Sequence, residues 1–381
     1  MEFRLSDEQE MLRRTVREFA EREIQPVMRE LDRAEKFSVE LTQKMAGLGL
    51  FGITIPEAYG GMGADYLTYI LAVEELARVD ACQAATVAAA NSLGSGPIYS
   101  HGTEEQKRRY LPELARGRLW GFGLTEPDAG SDAGGSKTTA VRDGDGWVLN
   151  GSKIFITNAA TPLTLGLTVQ AVTGHDEKGR KRLSCFLMEI GTPGLETREM
   201  HGKLSWRSSN TAEIYLSDVR VPASAQLGKE GDGLQIMLSS LDSGRLSIAA
   251  MGLGGAQGAF ETALKYARER KQFGQPISRF QANSFKLADM ATEIEAARSL
   301  LYRACWLRDA GQPFATFAAM AKLYCSEMMR RVANQGVQLH GGYGLMEDYG
   351  AEKFYRDQRL LEIGEGTSEI QRIVISRHMG L

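Results

Sequence analysis

The stretch LEIGEGTSEIQR, residues 361–372, decides how the C-terminal part of this chain folds, because it predicts a corner between two helices. Gly364 is suited to end the first helix in a left-handed conformation, and Ser368 with Gln371 has the spacing of a capping box that begins the second. Glu365 then lies between two glycines on the corner. Two interpretations stay open for it: a carboxylate fixed in a cleft, or a solvated acid in a loop.

Helical periodicity surrounds this corner. Apolar residues recur at helical spacing over residues 234–270, 280–310, 314–337, 351–363 and 368–377. Long helices joined by short loops favour antiparallel packing. Residues 229–381 are therefore predicted to form an antiparallel four-helix bundle, in which the spacing Gly254-xxx-Gly258 indicates a close helix contact.

The chain upstream of this bundle divides into two parts. Residues 119–228 contain short β-prone runs, with Asp143-Gly-Asp-Gly as a hairpin turn. The strands are expected at 138–141, 147–150, 153–157, 163–172, 183–190, 195–200 and 212–221. Residues 1–118 carry helical spacing. Their helix-start signals are Ser6 with Gln9, Ser38, Asp65, and Thr103 with Gln106. The predicted fold is a multidomain α+β protein with an all-α N-terminal domain, a central β domain and the C-terminal bundle.

Composition excludes several classes of protein. The chain has 381 residues, of which 43% are hydrophobic, and a net charge of −3, so a large core is expected and a nucleic-acid or membrane partner is not. The four cysteines and five histidines lack metal-ligand spacing, so we expect reduced thiols and no metal. No apolar run reaches the roughly 18 residues of a membrane span, and the N-terminal MEFRLSDEQE lacks a signal segment. A cytoplasmic protein is expected, with a mature mitochondrial matrix form left open.

Two stretches of the central part have residue types that suit a cofactor. GFGLTEPDAGSD, residues 121–132, combines hydroxyls with glycines that let backbone amides approach a phosphate or a flavin edge. KIFITN, residues 153–158, is expected to place Phe155 and Thr157 on one face of a strand and its isoleucines on the other. A polar turn and a half-buried strand are the ordinary structural alternatives.

Two further stretches lie in the helical C-terminal part. RKQFGQPI, residues 270–277, is a basic turn between two long helices, with Gln281 beyond it, and its arginine suits bidentate contacts to phosphate. QLHGGYG, residues 338–344, is a glycine cluster at a helix end, where backbone could approach a cofactor. An exposed loop charge and a simple helix cap are the alternatives for these two.

Taken together and in this order, these stretches resemble the acyl-CoA dehydrogenase family. GLTEPDAGSD, KIFITN, ERKQFGQPI, QLHGGYG and EGTSEIQR match in type and spacing, and the resemblance runs from the first helix to the last. It implies an FAD-dependent enzyme that removes an α-proton and a β-hydride from an acyl-CoA thioester, the hydride going to flavin N5, to give the trans-2-enoyl-CoA. It also implies that the electrons pass to an electron-transfer flavoprotein.

By this resemblance, two subunits would build each FAD site. The residues matching its isoalloxazine and pyrophosphate side are Phe122, Leu124, Thr125, Gly130, Ser131, Phe155, Ile156 and Thr157. Those that a neighbouring subunit would supply for the pyrophosphate and adenosine are Arg270, Phe273, Gln281, Gln338, Leu339, Gly341 and Gly342, and Thr367 and Glu369 would contact the same cofactor. A homotetramer built through the C-terminal bundles is therefore expected.

The resemblance assigns the catalytic base to Glu365. Desolvation beneath a flavin would raise the pKa of this carboxylate toward the working pH, as a general base requires. The family binds the developing enolate oxygen through the base residue's own N–H and a ribityl hydroxyl of FAD. The positions matching substrate contacts are Ser131, Leu241, Asp242, Arg245, Gly364 and Gly366.

The chain departs from many of its relatives at two positions. Gly364 stands where many have tyrosine, which should widen the acyl pocket, and Phe155 stands where many have tryptophan. One branch of the family carries its base at the position of Gly244, and glycine there leaves Glu365 as the candidate. A short, branched or ring-bearing acyl group is expected, and a dicarboxylic one is disfavoured because no arginine stands out as its partner.

Other functions on the same fold stay open. The chain could react with O₂ as an oxidase or a monooxygenase, or be a non-catalytic flavoprotein or nucleic-acid-associated relative. Glu365 weighs against the monooxygenase, whose chemistry needs no base for an α-proton, but not against an oxidase. The intact base and the lack of a basic surplus weigh against the non-catalytic alternatives.

Overall fold

A computed structural model describes residues 4–381, so the first three residues of the N-terminal stretch considered above lie outside it. The chain begins with helices, which are α1 (Asp7–Phe19), α2 (Met28–Ala34), α3 (Val39–Gly47), α4 (Tyr66–Ala77), α5 (Ala81–Ala89), α6 (Ser95–His101) and α7 (Glu104–Ala115). The helix-start signals are confirmed, with complete capping boxes at Ser6 and Thr103. Ser38 and Asp65 cap α3 and α4.

The middle of the chain forms one eight-stranded sheet. Its strands are β1 (Leu119–Gly123), β2 (Thr139–Asp143), β3 (Gly146–Thr157), β4 (Thr164–His175), β5 (Lys181–Glu189), β6 (Leu195–Glu199), β7 (Thr211–Pro222) and β8 (Gln226–Leu227). The strand order is β6-β7-β3-β2-β4-β5-β8, and β1 pairs with β4 in parallel. The hairpin turn after Asp143 is confirmed. The two strands expected at 147–150 and 153–157 are a single strand, β3, which continues through Gly151 at a φ of 146°.

Helices return after the sheet. They are α8 (Gly233–Glu269), α9 (Gln281–Asp309), α10 (Ala315–His340), α11 (Ala351–Leu361) and α12 (Ser368–His378), and the short strands β9 (Lys271–Gln272) and β10 (Gln275–Pro276) form a hairpin after α8. The observed ends lie within three residues of the predicted ones. The predicted class, helical parts flanking a central sheet, is confirmed. No helix within residues 4–381 has the length and apolarity needed to cross a bilayer.

Helix α8 packs against α4 through its glycines. A Cβ built on Gly254 would lie 2.1 Å from the carbonyl oxygen of Glu74, and one built on Gly258 would lie 2.1 Å from the carbonyl oxygen of Arg78. Only glycine permits such a close approach of two backbones. The predicted close helix contact is confirmed, and it joins the N-terminal and C-terminal helices in one hydrophobic core.

The start of α12 differs from the prediction. Its cap is Thr367, whose hydroxyl accepts a hydrogen bond from the Ile370 N–H, so the predicted capping box of Ser368 and Gln371 is wrong. The Gln371 amide instead reaches back and donates to the carbonyl oxygen of Gly366 at 2.9 Å. The helix begins one residue earlier than the S-x-x-Q spacing suggests, because threonine is also a favourable N-cap residue.

The predicted left-handed end of α11 at Gly364 is also wrong. The Gly364 N–H donates to the carbonyl oxygen of Leu360, which continues the helical bonding pattern. The left-handed conformation falls on the next two residues, Glu365 with a φ of 54° and Gly366 with a φ of 96°. The turn between α11 and α12 therefore includes Glu365 itself in the left-handed conformation.

Candidate active site

Glu365 holds its carboxylate on this corner in a backbone conformation that non-glycine residues rarely adopt. Its Oε2 is shut off from solvent and has no hydrogen-bond partner within residues 4–381. Burial raises the pKa of Glu365 to about 7, although the charges of Lys322 and Arg245 oppose this rise. The solvated-loop interpretation therefore does not describe this carboxylate.

Helix α8 approaches the carboxylate at Gly244. A Cβ at this position would lie 1.9 Å from Oε2 of Glu365 and 3.2 Å from Cδ2 of Leu93. Leu93 belongs to a π-helical turn, Ala90–Gly94, between α5 and α6, and such turns occur often at functional sites. Sequence analysis did not select Leu93, because its proximity to residues 244 and 365 arises only in the tertiary structure.

The same end of α8 holds three of the residues predicted to contact substrate. Asp242 and Arg245 form an ion pair of 2.5 Å. Arg245 is buried, and its Nε has no hydrogen-bond partner among the described residues. Leu241 packs against a hydrophobic cluster that contains Phe122 and Leu124. Leu93, the neighbour of Gly244, packs against the same cluster.

The two cofactor stretches of the sheet lie side by side. The Ile154 N–H donates to the carbonyl oxygen of Thr125 at 2.9 Å, and Lys153 forms a buried ion pair of 2.7 Å with Glu126. Burial alone would raise the pKa of Glu126, but the charge of Lys153 and hydrogen bonds from Ser136 and the backbone lower it to about 2. Sequence analysis quoted both residues within their motifs but did not pair them, since 27 residues separate them.

Phe155 lies at a bulge in β3. Its φ is 61°, and the pairing of β3 with β7 shifts register between Lys153 and Ile156. The expected regular alternation of faces is wrong here, because a bulge adds a residue to one strand and redirects its side chains. The Phe155 ring is 62% exposed, whereas Ile156 is 3% exposed. An exposed ring beside the cofactor stretches offers a stacking surface.

The other residues predicted for this part of the FAD site differ in exposure. The side chains of Phe122, Leu124 and Ile156 are buried, those of Thr125 and Thr157 are half-buried, and Gly130 and Ser131 are exposed. The buried members therefore offer little side-chain surface to a ligand. The exposed and half-buried members can present hydroxyls and amides as well.

The residues predicted to serve a neighbouring subunit's cofactor lie at the other end of α8. The guanidinium of Arg270 is 5.5 Å from the ring centroid of Tyr343, and Tyr266 stacks on His340 with centroids 4.3 Å apart. These contacts bring RKQFGQPI and QLHGGYG onto one surface. Phe273, at the tip of the β9–β10 hairpin, is 92% exposed.

The remaining predicted residues fall near these two ends of α8. Gln281, Gln338, Gly341 and Gly342 are exposed and Leu339 is buried, while Thr367 caps α12 and Glu369 is exposed in its first turn. Gly244 and Arg270 are 26 positions apart along α8, which corresponds to about 39 Å at 1.5 Å per residue. This distance exceeds the length of an extended FAD molecule. The Gly244 end and the Arg270 end of α8 are therefore separate regions of one chain.

Within residues 4–381, one group of side chains has the spacing of a metal site: Asp80, Cys82 and Asp357. The ammonium of Lys353 lies among them, 2.8 Å from Asp80 and 2.5 Å from Asp357. Its charge offsets those of the carboxylates, so we interpret the group as a buried ion-pair network.

The chain matches three family models: "Acyl-CoA dehydrogenase, N-terminal domain" over residues 6–118, "middle domain" over residues 121–219 and "C-terminal domain" over residues 231–380. A probable acyl-CoA dehydrogenase of Bacillus subtilis is 50% identical over 380 residues, covering 100% of both chains. The structure of butyryl-CoA dehydrogenase from Megasphaera elsdenii is 41% identical with a TM-score of 0.96, also covering 100% of both. A chain from a structural study of the electron transferring flavoprotein of Acidaminococcus fermentans is 46% identical with a TM-score of 0.95, covering 100% of this chain and 99% of that one.

Proposed function

Because the chain belongs to the acyl-CoA dehydrogenase family, we propose that it oxidises an acyl-CoA thioester to the trans-2-enoyl-CoA, with FAD as cofactor and Glu365 as the base. The observation that carries this proposal is the buried Oε2 of Glu365, which has no hydrogen-bond partner among the described residues and lies on a strained corner. An ionisable group without a partner is unfavourable in a protein interior. Such groups and strained residues cluster at active sites.

Glu365 is suited to remove the α-proton of a thioester. A base works best when its pKa lies near the operating pH, because it is then both available as carboxylate and basic enough to accept a proton. A pKa of about 7 meets this requirement. The proton moves to the carboxylate as the α-carbon loses it, and negative charge develops on the thioester oxygen.

That developing charge needs a hydrogen-bond donor placed in advance. The backbone N–H of Glu365 donates to no acceptor within residues 4–381. It lies on the same corner as the carboxylate, so one residue can supply both the base and a donor. Arg245, whose charge also acts on Glu365, adds positive potential nearby.

The residues around the sheet motifs fit FAD. Phe155 offers an exposed ring for stacking, and Gly130 and Ser131 offer exposed backbone and a hydroxyl for phosphate. The Lys153–Glu126 ion pair holds the two stretches in a fixed relation. When bound, FAD supplies the acceptor for the hydrogen that leaves the β-carbon as hydride.

A second copy of the chain completes each FAD site in this proposal. The Arg270 surface lies too far from Gly244 to act on the same cofactor within one chain, and Phe273 is an exposed aromatic side chain that association would cover. We propose a homotetramer. The domain boundaries near residues 118 and 228 also remain proposals.

The substrate is proposed to be a short-chain acyl-CoA, and the electron acceptor an electron-transfer flavoprotein. The similarity to the Megasphaera butyryl-CoA dehydrogenase and to the Acidaminococcus chain supports these assignments. Gly364 leaves the corner without a ring, so a branched acyl group fits the proposal as well.

Anaerobic mixing of the purified holoprotein with a panel of acyl-CoA thioesters tests this function. The panel contains butyryl-, isobutyryl-, octanoyl- and glutaryl-CoA, and the flavin absorbance is followed by stopped flow. We expect butyryl-CoA or isobutyryl-CoA to bleach the flavin fastest and glutaryl-CoA slowest. If no acyl-CoA bleaches it, the dehydrogenase proposal is wrong, and rapid return of the colour in air identifies an oxidase instead.

A further inference from the structure

Two side chains of α10 support the helix corner from inside the protein. Nζ of Lys322 donates to the carbonyl oxygen of Gly366 at 2.7 Å, and Oγ of Ser326, one turn further along, donates to the carbonyl oxygen of Leu361 at 2.9 Å. Both side chains are fully buried. Carbonyls at a helix end have no partner within the helix, so α10 supplies the donors that this corner requires.

The corner depends on such support. Glu365 and Gly366 both have positive φ, and a non-glycine residue in that region persists only where its surroundings hold it. The Gly366 carbonyl receives two donors, Lys322 and the Gln371 amide at 2.9 Å. Lys322 therefore fixes the backbone directly after the acid.

Lys322 is also a buried cation beside a buried carboxylate. Burial lowers the pKa of Lys322 to about 8, with the charge of Glu365 opposing the change, so the ammonium is mostly protonated at neutral pH. The other titratable groups coupled to Glu365 or Lys322 are Arg245 of α8, Tyr66 and Tyr69 of α4, Glu362 at the end of α11 and Glu369 of α12. Asp242 acts on Arg245, and Arg308 of α9 acts on both tyrosines. Lys322 donates a hydrogen bond to the corner itself.

We propose, on the basis of the proposed function, that Lys322 is the positioning residue for the Glu365 base. Its hydrogen bond fixes the corner through the Gly366 carbonyl, and its charge favours the ionised form of the carboxylate. Lys322 lies behind the backbone of the corner and acts through Glu365. In the sequence it is an ordinary lysine in the middle of a helix, within AAMAKLYCSE.

The test measures the pH dependence of anaerobic flavin bleaching from pH 5.5 to 9, with the acyl-CoA that bleaches the wild-type protein fastest. Lys322→Met removes donor and charge at nearly constant length, Lys322→Gln removes the charge and keeps an amide donor on a side chain one atom shorter, and Lys322→Arg keeps the charge. Ser326→Ala is the matched control, because it removes a neighbouring hydrogen bond to the corner and leaves the charge. FAD content and far-UV circular dichroism establish that each variant is folded.

We expect the midpoint of the pH profile to rise by about one unit or more in Lys322→Met and Lys322→Gln, since a nearby opposite charge lowers a carboxyl pKa by about 1–3 units. For a rise of one unit, the rate at pH 7 then falls about fivefold, because the ionised fraction of Glu365 drops from about one half to about one tenth. Lys322→Arg should return the midpoint toward that of the wild type, and Ser326→Ala should leave it unchanged.

The inference is overturned if either neutral variant holds FAD and keeps the wild-type midpoint, or if Ser326→Ala shifts the midpoint as far as they do. If Lys322→Met fails to fold, Lys322→Gln decides. A wild-type protein that no acyl-CoA bleaches refutes the proposed function itself. Normal wild-type bleaching with unshifted Lys322 variants refutes only the role of this lysine.

Discussion

Gly254→Ala tests the helix contact that sets the position of α8 relative to the active-site corner. The added Cβ would lie 2.1 Å from the carbonyl oxygen of Glu74, whereas ordinary contact begins at 3.4 Å, so α4 and α8 have to separate by about 1 Å. Overpacking of this kind costs about 1–3 kcal/mol. Alanine recovers about 1 kcal/mol through its helix propensity. The free energy of unfolding should therefore fall by up to about 2 kcal/mol.

The neighbouring glycine provides a matched control. Gly255→Ala brings the same gain in helix propensity, but its Cβ meets the end of the Met329 side chain at 2.3 Å, and a methionine side chain can move away. This variant should be as stable as the wild type or up to about 1 kcal/mol more stable. The two adjacent glycine-to-alanine variants should thus differ by about 2 kcal/mol in their free energy of unfolding.

Thermal unfolding of both holoproteins, followed by circular dichroism at one pH and protein concentration, measures this difference. We expect Gly254→Ala to melt roughly 2–3 °C below Gly255→Ala, because a chain of 381 residues unfolds with a large entropy change. It should also bleach more slowly with acyl-CoA, because the separation of the helices moves Gly244 away from the corner. Equal melting temperatures for the two variants would refute the reasoning about backbone contact.

Three further predictions follow from the buried charges and the exposed hairpin. The pKa of Glu365 is raised from 4.5 to about 7 in the folded chain, so the stability that this group contributes is present at low pH and is lost as the pH rises between these values. Compared with the wild type, Glu365→Gln should therefore have a free energy of unfolding up to about 3 kcal/mol higher at pH 8 and nearly the same at pH 4.5. Thermal melting at both pH values measures the difference. Lys153→Met leaves Glu126 buried without its ion-pair partner, which should lower the free energy of unfolding by about 3–5 kcal/mol and release FAD. The double variant with Glu126→Gln should recover much of that loss. A Lys153→Met protein that melts like the wild type would contradict this prediction. Phe273→Asp alters a residue that is 92% exposed in one chain, so the variant should retain the helix content of the wild type. The mass of the assembly by light scattering and the FAD content should both fall. An unchanged mass would argue against an interface at this hairpin.

The helix starts could be predicted because capping is local. Ser6 with Gln9 and Thr103 with Gln106 are three residues apart, and both form the expected reciprocal hydrogen bonds. The long C-terminal helices were predictable for a similar reason, since their apolar periodicity extends over many turns. The close approach of α4 and α8 followed from two glycines spaced by four residues.

The corner shows where local signals fail. Thr367 and Ser368 are adjacent and both suit a helix cap, so the spacing to Gln371 selected the wrong one. Glycine was also expected to take the left-handed position, but Glu365 occupies it. Tertiary hydrogen bonds override the local preference here, because the carbonyl after Glu365 receives donors from α10 and α12.

The site was predictable only where its residues lie in motifs. Glu365 and the two sheet stretches could be selected from the sequence and the family resemblance. Leu93 and Lys322 lie outside the sequence motifs, and their proximity to the Glu365 corner exists only in the folded chain. The two groups of FAD residues could be listed, but their separation along α8 emerged only from the length of that helix.

The central claim is that Glu365 removes the α-proton. Its most direct test is the single-turnover rate of anaerobic flavin bleaching by butyryl-CoA, compared between the wild type and Glu365→Gln, which keeps the size of the side chain and removes its basicity. The account predicts that the variant retains FAD and that its bleaching slows by about 10²–10⁴-fold, the usual contribution of a general base. Bleaching of the FAD-loaded variant at the wild-type rate would contradict it.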